Sequence, residues 1–137
     1  MENKKLPQHL VRNVEVFYVC YRLSLMGWNA KPTTRYAKGP NVVIESEDTE
    51  RTWSLKVRSL SKRDPVPLGK DPVIDADWLI VCTKVREDNP RCYVLTPDEV
   101  RELATRDKSG PNYWLEQRHY DTEQFAEQWD RIGSGLA

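Results

Sequence analysis

No apolar run in these 137 residues approaches the roughly 18 needed to span a bilayer, and the polar N-terminus lacks the hydrophobic stretch of a secretory signal. A soluble, cytoplasmic protein without a membrane partner is the expectation. Cysteine is scarce: Cys20, Cys82 and Cys92 show no CxxC spacing, and their odd number points to reduced thiols buried in apolar stretches rather than to a disulfide framework. Histidine is scarcer. His9 and His119 lie far apart without ligand-like neighbours, which argues against a zinc or histidine-based catalytic site. No internal repeat or low-complexity tract occurs, and the 21 Lys/Arg balance the 21 Asp/Glu.

What is present is enough for one domain spanning 1–137, with 39% apolar residues and five tryptophans to build a core. Trp53, Trp78, Trp114 and Trp129 are read as packing residues rather than base-stacking platforms. The charge is unevenly placed. Residues 1–70 hold 13 Lys/Arg against 7 Asp/Glu, and residues 71–137 hold 8 against 14. A basic face on the first half can attract phosphate even in a neutral chain, because the local field is set by charges within about 10 Å.

Periodicity places a first helix over 8–26, with Leu10, Val14, Phe17, Tyr18, Tyr21 and Leu25 as its core-facing stripe and Gly27 ending it. Strands follow at Trp28–Thr33, Asn41–Glu47 and Arg51–Leu60, the last two joined by a turn around Asp48-Thr49. Ser61–Asp75, rich in proline, reads as a long loop. Asp77–Val85 reads as a buried central strand and Arg91–Thr96 as its neighbour across an Asp88-Asn89-Pro90 turn. Thr96-Pro97-Asp98-Glu99 is a strong start for a helix over Pro97–Thr105. A short strand at Tyr113–Leu115 and a last amphipathic helix over Thr122–Ile132, with Phe125, Trp129 and Ile132 inward, complete the chain.

The pattern bearing on function lies between Gly27 and Arg63. Gly27-Trp28-Asn29-Ala30 leads to Tyr36-Ala37-Lys38-Gly39-Pro40-Asn41-Val42-Val43-Ile44, then to Thr52-Trp53-Ser54-Leu55-Lys56-Val57-Arg58-Ser59-Leu60-Ser61-Lys62-Arg63. With a helix before it, this order resembles the PD-(D/E)XK nuclease superfamily, in particular its small bacterial restriction-endonuclease-like proteins. The resemblance covers residues 8–132. It implies an α/β fold: a mixed central sheet of about five strands flanked by an N-terminal helix and C-terminal helices. The helix that the superfamily usually carries between its third and fourth core strands is not expected, because of the prolines in Ser61–Asp75.

The same resemblance implies an acid on the first helix, an Asp opening one strand and Glu/Gln-x-Lys on the next. Here those positions hold Glu15, Asn41 and Lys56-Val57-Arg58; a second register puts Ser54-Leu55-Lys56 in the last three. Nucleases of this type hold Mg²⁺ through carboxylate and backbone oxygens to activate water. Lys56 has no lone pair to offer an ion, Asn41 brings no charge, and Arg58 is permanently protonated. An ion pair between Lys56 and Glu15 in place of the metal is one expectation. A phosphate-binding set of Lys38, Lys56, Arg58, Ser59, Ser61, Lys62 and Arg63 is another. Three functions stay open: an inactive nuclease homologue that binds DNA, another nucleic acid or a protein partner; an active Mg²⁺-dependent nuclease with relocated ligands; and a protein-directed inhibitor or subunit of a defence or mobile-element system. A homodimer is compatible with each, and no cofactor is expected outside the nuclease reading.

Overall fold

The computed structural model describes residues 6–33, 39–60, 64–84 and 90–137. Lys38, Ser61, Lys62 and Arg63 therefore lie outside the described residues, as does most of the Asp88-Asn89-Pro90 turn. Helix α1 (Gln8–Leu25) opens the fold and strands β1 (Asn29–Pro32), β2 (Val42–Glu45) and β3 (Thr52–Leu60) follow. Then come β4 (Val66–Gly69), β5 (Trp78–Thr83), β6 (Arg91–Leu95), α2 (Pro97–Leu103), β7 (Thr105–Arg106), β8 (Tyr113–Leu115) and the short α3 (Gln117–Tyr120). The central sheet runs β1-β2-β3-β5-β6, antiparallel except for the parallel pair β3/β5. The expected mixed sheet with flanking helices is the observed one.

Strand alternation divides the core between the two faces of this sheet. Leu55, Val57, Ile80 and Cys82 pack toward α1 with Val19 and Leu23, whereas Leu79, Val81, Tyr93 and Leu95 pack away from it with Leu115 and Phe125. Thr96 caps α2 with the reciprocal bonds of a capping box: Glu99 N–H donates to Thr96 Oγ1 at 3.2 Å and Thr96 N–H to Glu99 Oε1 at 2.8 Å. Gly27, at φ +91°, lets Trp28 N–H return to the Leu23 carbonyl and end α1.

Three expectations are corrected. Most of the stripe assigned to the core on α1 faces outward: Phe17 and Tyr21 are each 59% exposed, Leu25 68% and Leu10 39%, while half-buried Tyr18 does pack against the core. The buried face is instead Glu15, Val19 and Leu23. The helix carries apolar residues on two faces, so periodicity finds a stripe without saying which one the sheet will cover.

Within the expected Ser61–Asp75 loop, Val66–Gly69 forms β4, which pairs with β8 in a second sheet of order β4-β8-β7. Its prolines are tolerated because β4 is an edge strand with a bulge between Pro67 and Gly69. No helix stands between β3 and β5 among the described residues.

The helix expected over Thr122–Ile132 is absent. Apart from one 3-10 turn at Trp129–Arg131, the segment is irregular. Val94 N–H donates to the Phe125 carbonyl at 3.0 Å and Glu127 N–H to the Cys92 carbonyl at 2.7 Å. The edge of β6 thus obtains partners that a helix would have denied it. Phe125, Trp129 and Ile132 are nevertheless buried. Trp114 is the exception among the tryptophans read as packing residues, at 36% exposed.

The C-terminal segment ties α1 to the β2–β3 hairpin. Gly135 N–H donates to the Met26 carbonyl at 3.0 Å, Glu47 N–H donates to the Gly135 carbonyl at 2.7 Å, and Trp28 Nε1 donates to the Gly133 carbonyl at 2.8 Å. A Cβ on Gly135 would stand 2.7 Å from the carbonyl of Gly27 and the nitrogen of Trp28, all of it backbone. Gly135→Ala should therefore cost about 1–3 kcal/mol of unfolding free energy in urea. Gly110→Ala, whose Cβ meets only Asp107 Oδ2 at 3.8 Å, should cost much less. Equal losses in the two variants would show that the close approach at Gly135 is not a constraint.

Candidate functional site

Strand β3 outruns its neighbour. β2 pairs only with Thr52–Leu55, while β5 accompanies β3 from Leu55 to Leu60. Among the described residues the second half of β3 thus presents an edge on the side of β2, and there a cleft of about 430 Å³ opens. Arg12 and Glu15 line it from α1, Asn41 from the entry to β2, and Lys56, Arg58 and Ser59 from β3. A second cavity of about 380 Å³ continues past Lys56 and Arg58 to Asp75.

Each side chain is placed by its element. Asn41 extends the β2 ladder: its backbone N–H donates to the Leu55 carbonyl at 2.8 Å, and its Oδ1 accepts from Val57 N–H at 2.7 Å. That bond takes the amide oxygen and leaves the NH₂ donors for the cleft. Lys56 is buried and donates from Nζ to the Gly39 carbonyl at 2.6 Å. Burial lowers its pKa, Arg58 lowers it further and Asp75 opposes them. The Arg58 pKa is lowered by burial and then by Arg12. The hydroxyl of Ser59 is buried without a partner among the described residues.

The expected Lys56–Glu15 ion pair is not formed; no such contact is present within 4 Å among the described residues. Alternation is the reason. Leu55 and Val57 face α1, so Lys56 and Arg58 point to the opposite side of the sheet, and Glu15 meets the cleft from the helix side. Glu15 is 5% exposed, and burial pushes its pKa up to about 8, with Arg12 opposing. At neutral pH it is mostly a neutral acid.

This donor set does not fit a divalent cation. Glu15 is the one carboxylate among the described residues lining the cleft, the Asn41 oxygen already accepts the Val57 N–H, and the Lys56 ammonium has no lone pair for an ion. Among the described residues no three His, Cys, Asp or Glu side chains group around a possible ion. What the cleft offers is three cations, an amide donor and a hydroxyl, the chemistry of an oxyanion site.

The cysteines and the acidic β2–β3 turn lie apart from the cleft. Cys82 and Cys92 are buried with Sγ atoms 3.0 Å apart between β5 and β6, and Cys20 is half-buried on α1. Glu47, Asp48 and Glu50 are exposed at the β2–β3 turn, where Asp48 Oδ1 accepts from the Ser46 hydroxyl at 2.6 Å. Lys38, Ser61, Lys62 and Arg63 are outside the described residues. Two residues that sequence reasoning passed over belong to the site: Arg12, and Asp75 beside Lys56. Arg12 had a signal, since a spacing of three from Glu15 puts both on one helix face.

No family model matches the chain and no curated protein matches its sequence. Solved structures do match. The Holliday junction resolvase Hjc of the archaeal hyperthermophile Archaeoglobus fulgidus aligns with a TM-score of 0.58 at 14% identity, covering 88% of this chain and 93% of the resolvase. The bacterial homing endonuclease I-Ssp6803I aligns with a TM-score of 0.63 at 15% identity, covering 93% of each chain. Both have PD-(D/E)XK-type folds. This chain has the restriction-endonuclease-like fold. In that fold the cleft stands where the sequence resemblance puts the nuclease motif, with Glu15 on the helix, Asn41 opening β2 and Lys56-Val57-Arg58 on β3.

The buried acid gives this restriction-endonuclease-like domain a measurable pH dependence. A carboxyl whose pKa is raised by folding contributes stability fully below the unfolded value of about 4.3. That contribution declines as pH rises and is gone above the folded value of about 8. In urea unfolding the wild type should lose ground to Glu15→Gln between pH 5 and pH 8, by up to about 1.4 kcal/mol per pH unit, and then level off. A difference that does not change with pH would show that Glu15 is ionised throughout.

Proposed function

We propose that this protein is a catalytically inactive relative of PD-(D/E)XK nucleases that binds a nucleic-acid backbone, seating a phosphate in the cleft at the open edge of β3. The observation that carries the reading is that Arg12, Lys56 and Arg58 line one cleft in which Glu15 is the one carboxylate among the described lining residues, its pKa raised by burial to about 8. Two of these cations, Lys56 and Arg58, have pKa values depressed by burial and by a like charge. An anion between them relieves both penalties. The fold likeness to a resolvase and a homing endonuclease makes nucleic acid the natural source of that anion. Phosphate contacts of this kind position a protein on the strand and carry no sequence information.

The test is a pair of measurements on the full chain. Binding to a short DNA duplex, followed by anisotropy from about 50 to 200 mM salt, should weaken with a log–log slope near −0.9 per phosphate neutralised. Arg12→Ala with Arg58→Ala should weaken it for every sequence and flatten the slope by about two. Incubation with Mg²⁺ or Mn²⁺ should leave the DNA intact. An unchanged slope in the double variant would move the function to a protein partner. Metal-dependent cleavage lost in Asp75→Asn would establish the relocated-ligand nuclease instead, since Asp75 is the carboxylate beside Lys56.

A further inference from the structure

The outer face of the second sheet adjoins the cleft. β8 is its central strand, and alternation turns Leu115 inward beside Val66, both fully buried, while Trp114 points the other way. Its cross-strand neighbours on that outer face are Pro67 of β4 and Thr105 of β7. Pro67 is exposed and lines both the cleft and the cavity that continues past Lys56 and Arg58. Trp114 therefore stands one cross-strand step, about 5 Å between Cβ atoms, from the wall of the site. It also differs from the other four tryptophans. Trp28 and Trp129 are buried and Trp53 and Trp78 pack against the core, whereas Trp114 is 36% exposed.

An aromatic surface beside a basic groove is the arrangement by which proteins hold unpaired nucleic acid, the cations tracking the backbone and the ring stacking a base. Here the two parts are divided. Thr105, Trp114 and Pro67 carry no charge, while Arg12, Lys56 and Arg58 lie in the cleft that Pro67 walls. The buried Ser59 hydroxyl, without a partner among the described residues, adds a donor for phosphate on the same side. A base is separated from its own phosphate by one sugar, a reach comparable with the step across Pro67 to Trp114. In a duplex the bases are enclosed in the stack, so an indole at the rim meets no free ring. We propose that the cleft takes a strand with an unpaired base, which stacks on Trp114 while its phosphate lies against Lys56 and Arg58. This rests on the reading of the cleft as a phosphate site and names the form of nucleic acid that the site prefers. Stacking accepts any base, because every base has a π-face.

Anisotropy with the full chain tests the two readings separately. A fluorescein-labelled DNA single strand of mixed sequence should bind about tenfold more tightly than the same sequence as a blunt duplex. Trp114→Ala should weaken single-strand binding by about tenfold and leave the salt slope unchanged, because no phosphate contact is lost. Trp114→Phe, which keeps an aromatic face, should recover most of the loss. On a strand of the same length built from abasic residues, wild type and Trp114→Ala should bind equally. A single strand held no more tightly than the duplex, or Trp114→Ala equal to wild type on it, would overturn the stacking; a slope still flattened by Arg12→Ala with Arg58→Ala would leave the phosphate site standing. An equal loss on the abasic strand would also overturn it, since Trp114 would then support the cleft rather than a base. Absence of binding to every form would remove both readings.

Discussion

The unequal lengths of β2 and β3 are the constraint on which the site depends. β3 takes its full complement of partners from β5 on one side, but β2 turns away at Val42, and the backbone beyond Leu55 must find acceptors elsewhere. Asn41 supplies the first of them through its side chain. An amide suits this task, because Oδ1 accepts the Val57 N–H without bringing a charge into a partly buried edge. The strand end that carries Lys56, Arg58 and Ser59 to the cleft is therefore tied to the entry of β2 through the Asn41 side chain.

The charge balance of the cleft follows from burial more than from pairing. Burial raises the pKa of Glu15 to about 8 and lowers those of Lys56 and Arg58, so each of these groups is penalised for its charge in the cleft. A carboxylate cluster costs least when a cation fills it, and a cluster of cations costs least when an anion does.

Much of this fold was legible because its signals are local. The Thr96 capping box, the stop at Gly27, the Asp48-Thr49 turn and the apolar run from Trp78 to Thr83 each depend on neighbours in sequence, and each appears in its expected place. What was not legible depends on distant partners. β4 exists because β8 arrives beside it, and the segment after Thr122 is irregular because the edge of β6 draws two of its backbone bonds. At the site, the membership of Glu15, Asn41, Lys56 and Arg58 could be read from motif order. Their mutual geometry could not, since the face alternation of β3 became informative only once the side occupied by α1 was known.

The first helix shows how far periodicity reaches and where it stops. A stripe at spacings of three and four is required of any helix face that will be buried, whether by its own sheet or by another molecule. On α1 two such faces exist, and the sheet covers the one containing Val19, Leu23 and the single acid Glu15. Burial of Glu15 opposes stability as pH rises, and covering the face with Phe17 and Tyr21 would have removed more apolar surface from water. The observed packing places Arg12 and Glu15 at the cleft and leaves Phe17, Tyr21 and Leu25 outside, because the face that the sheet covers is set by the side chains of β3 and β5 that meet Val19 and Leu23.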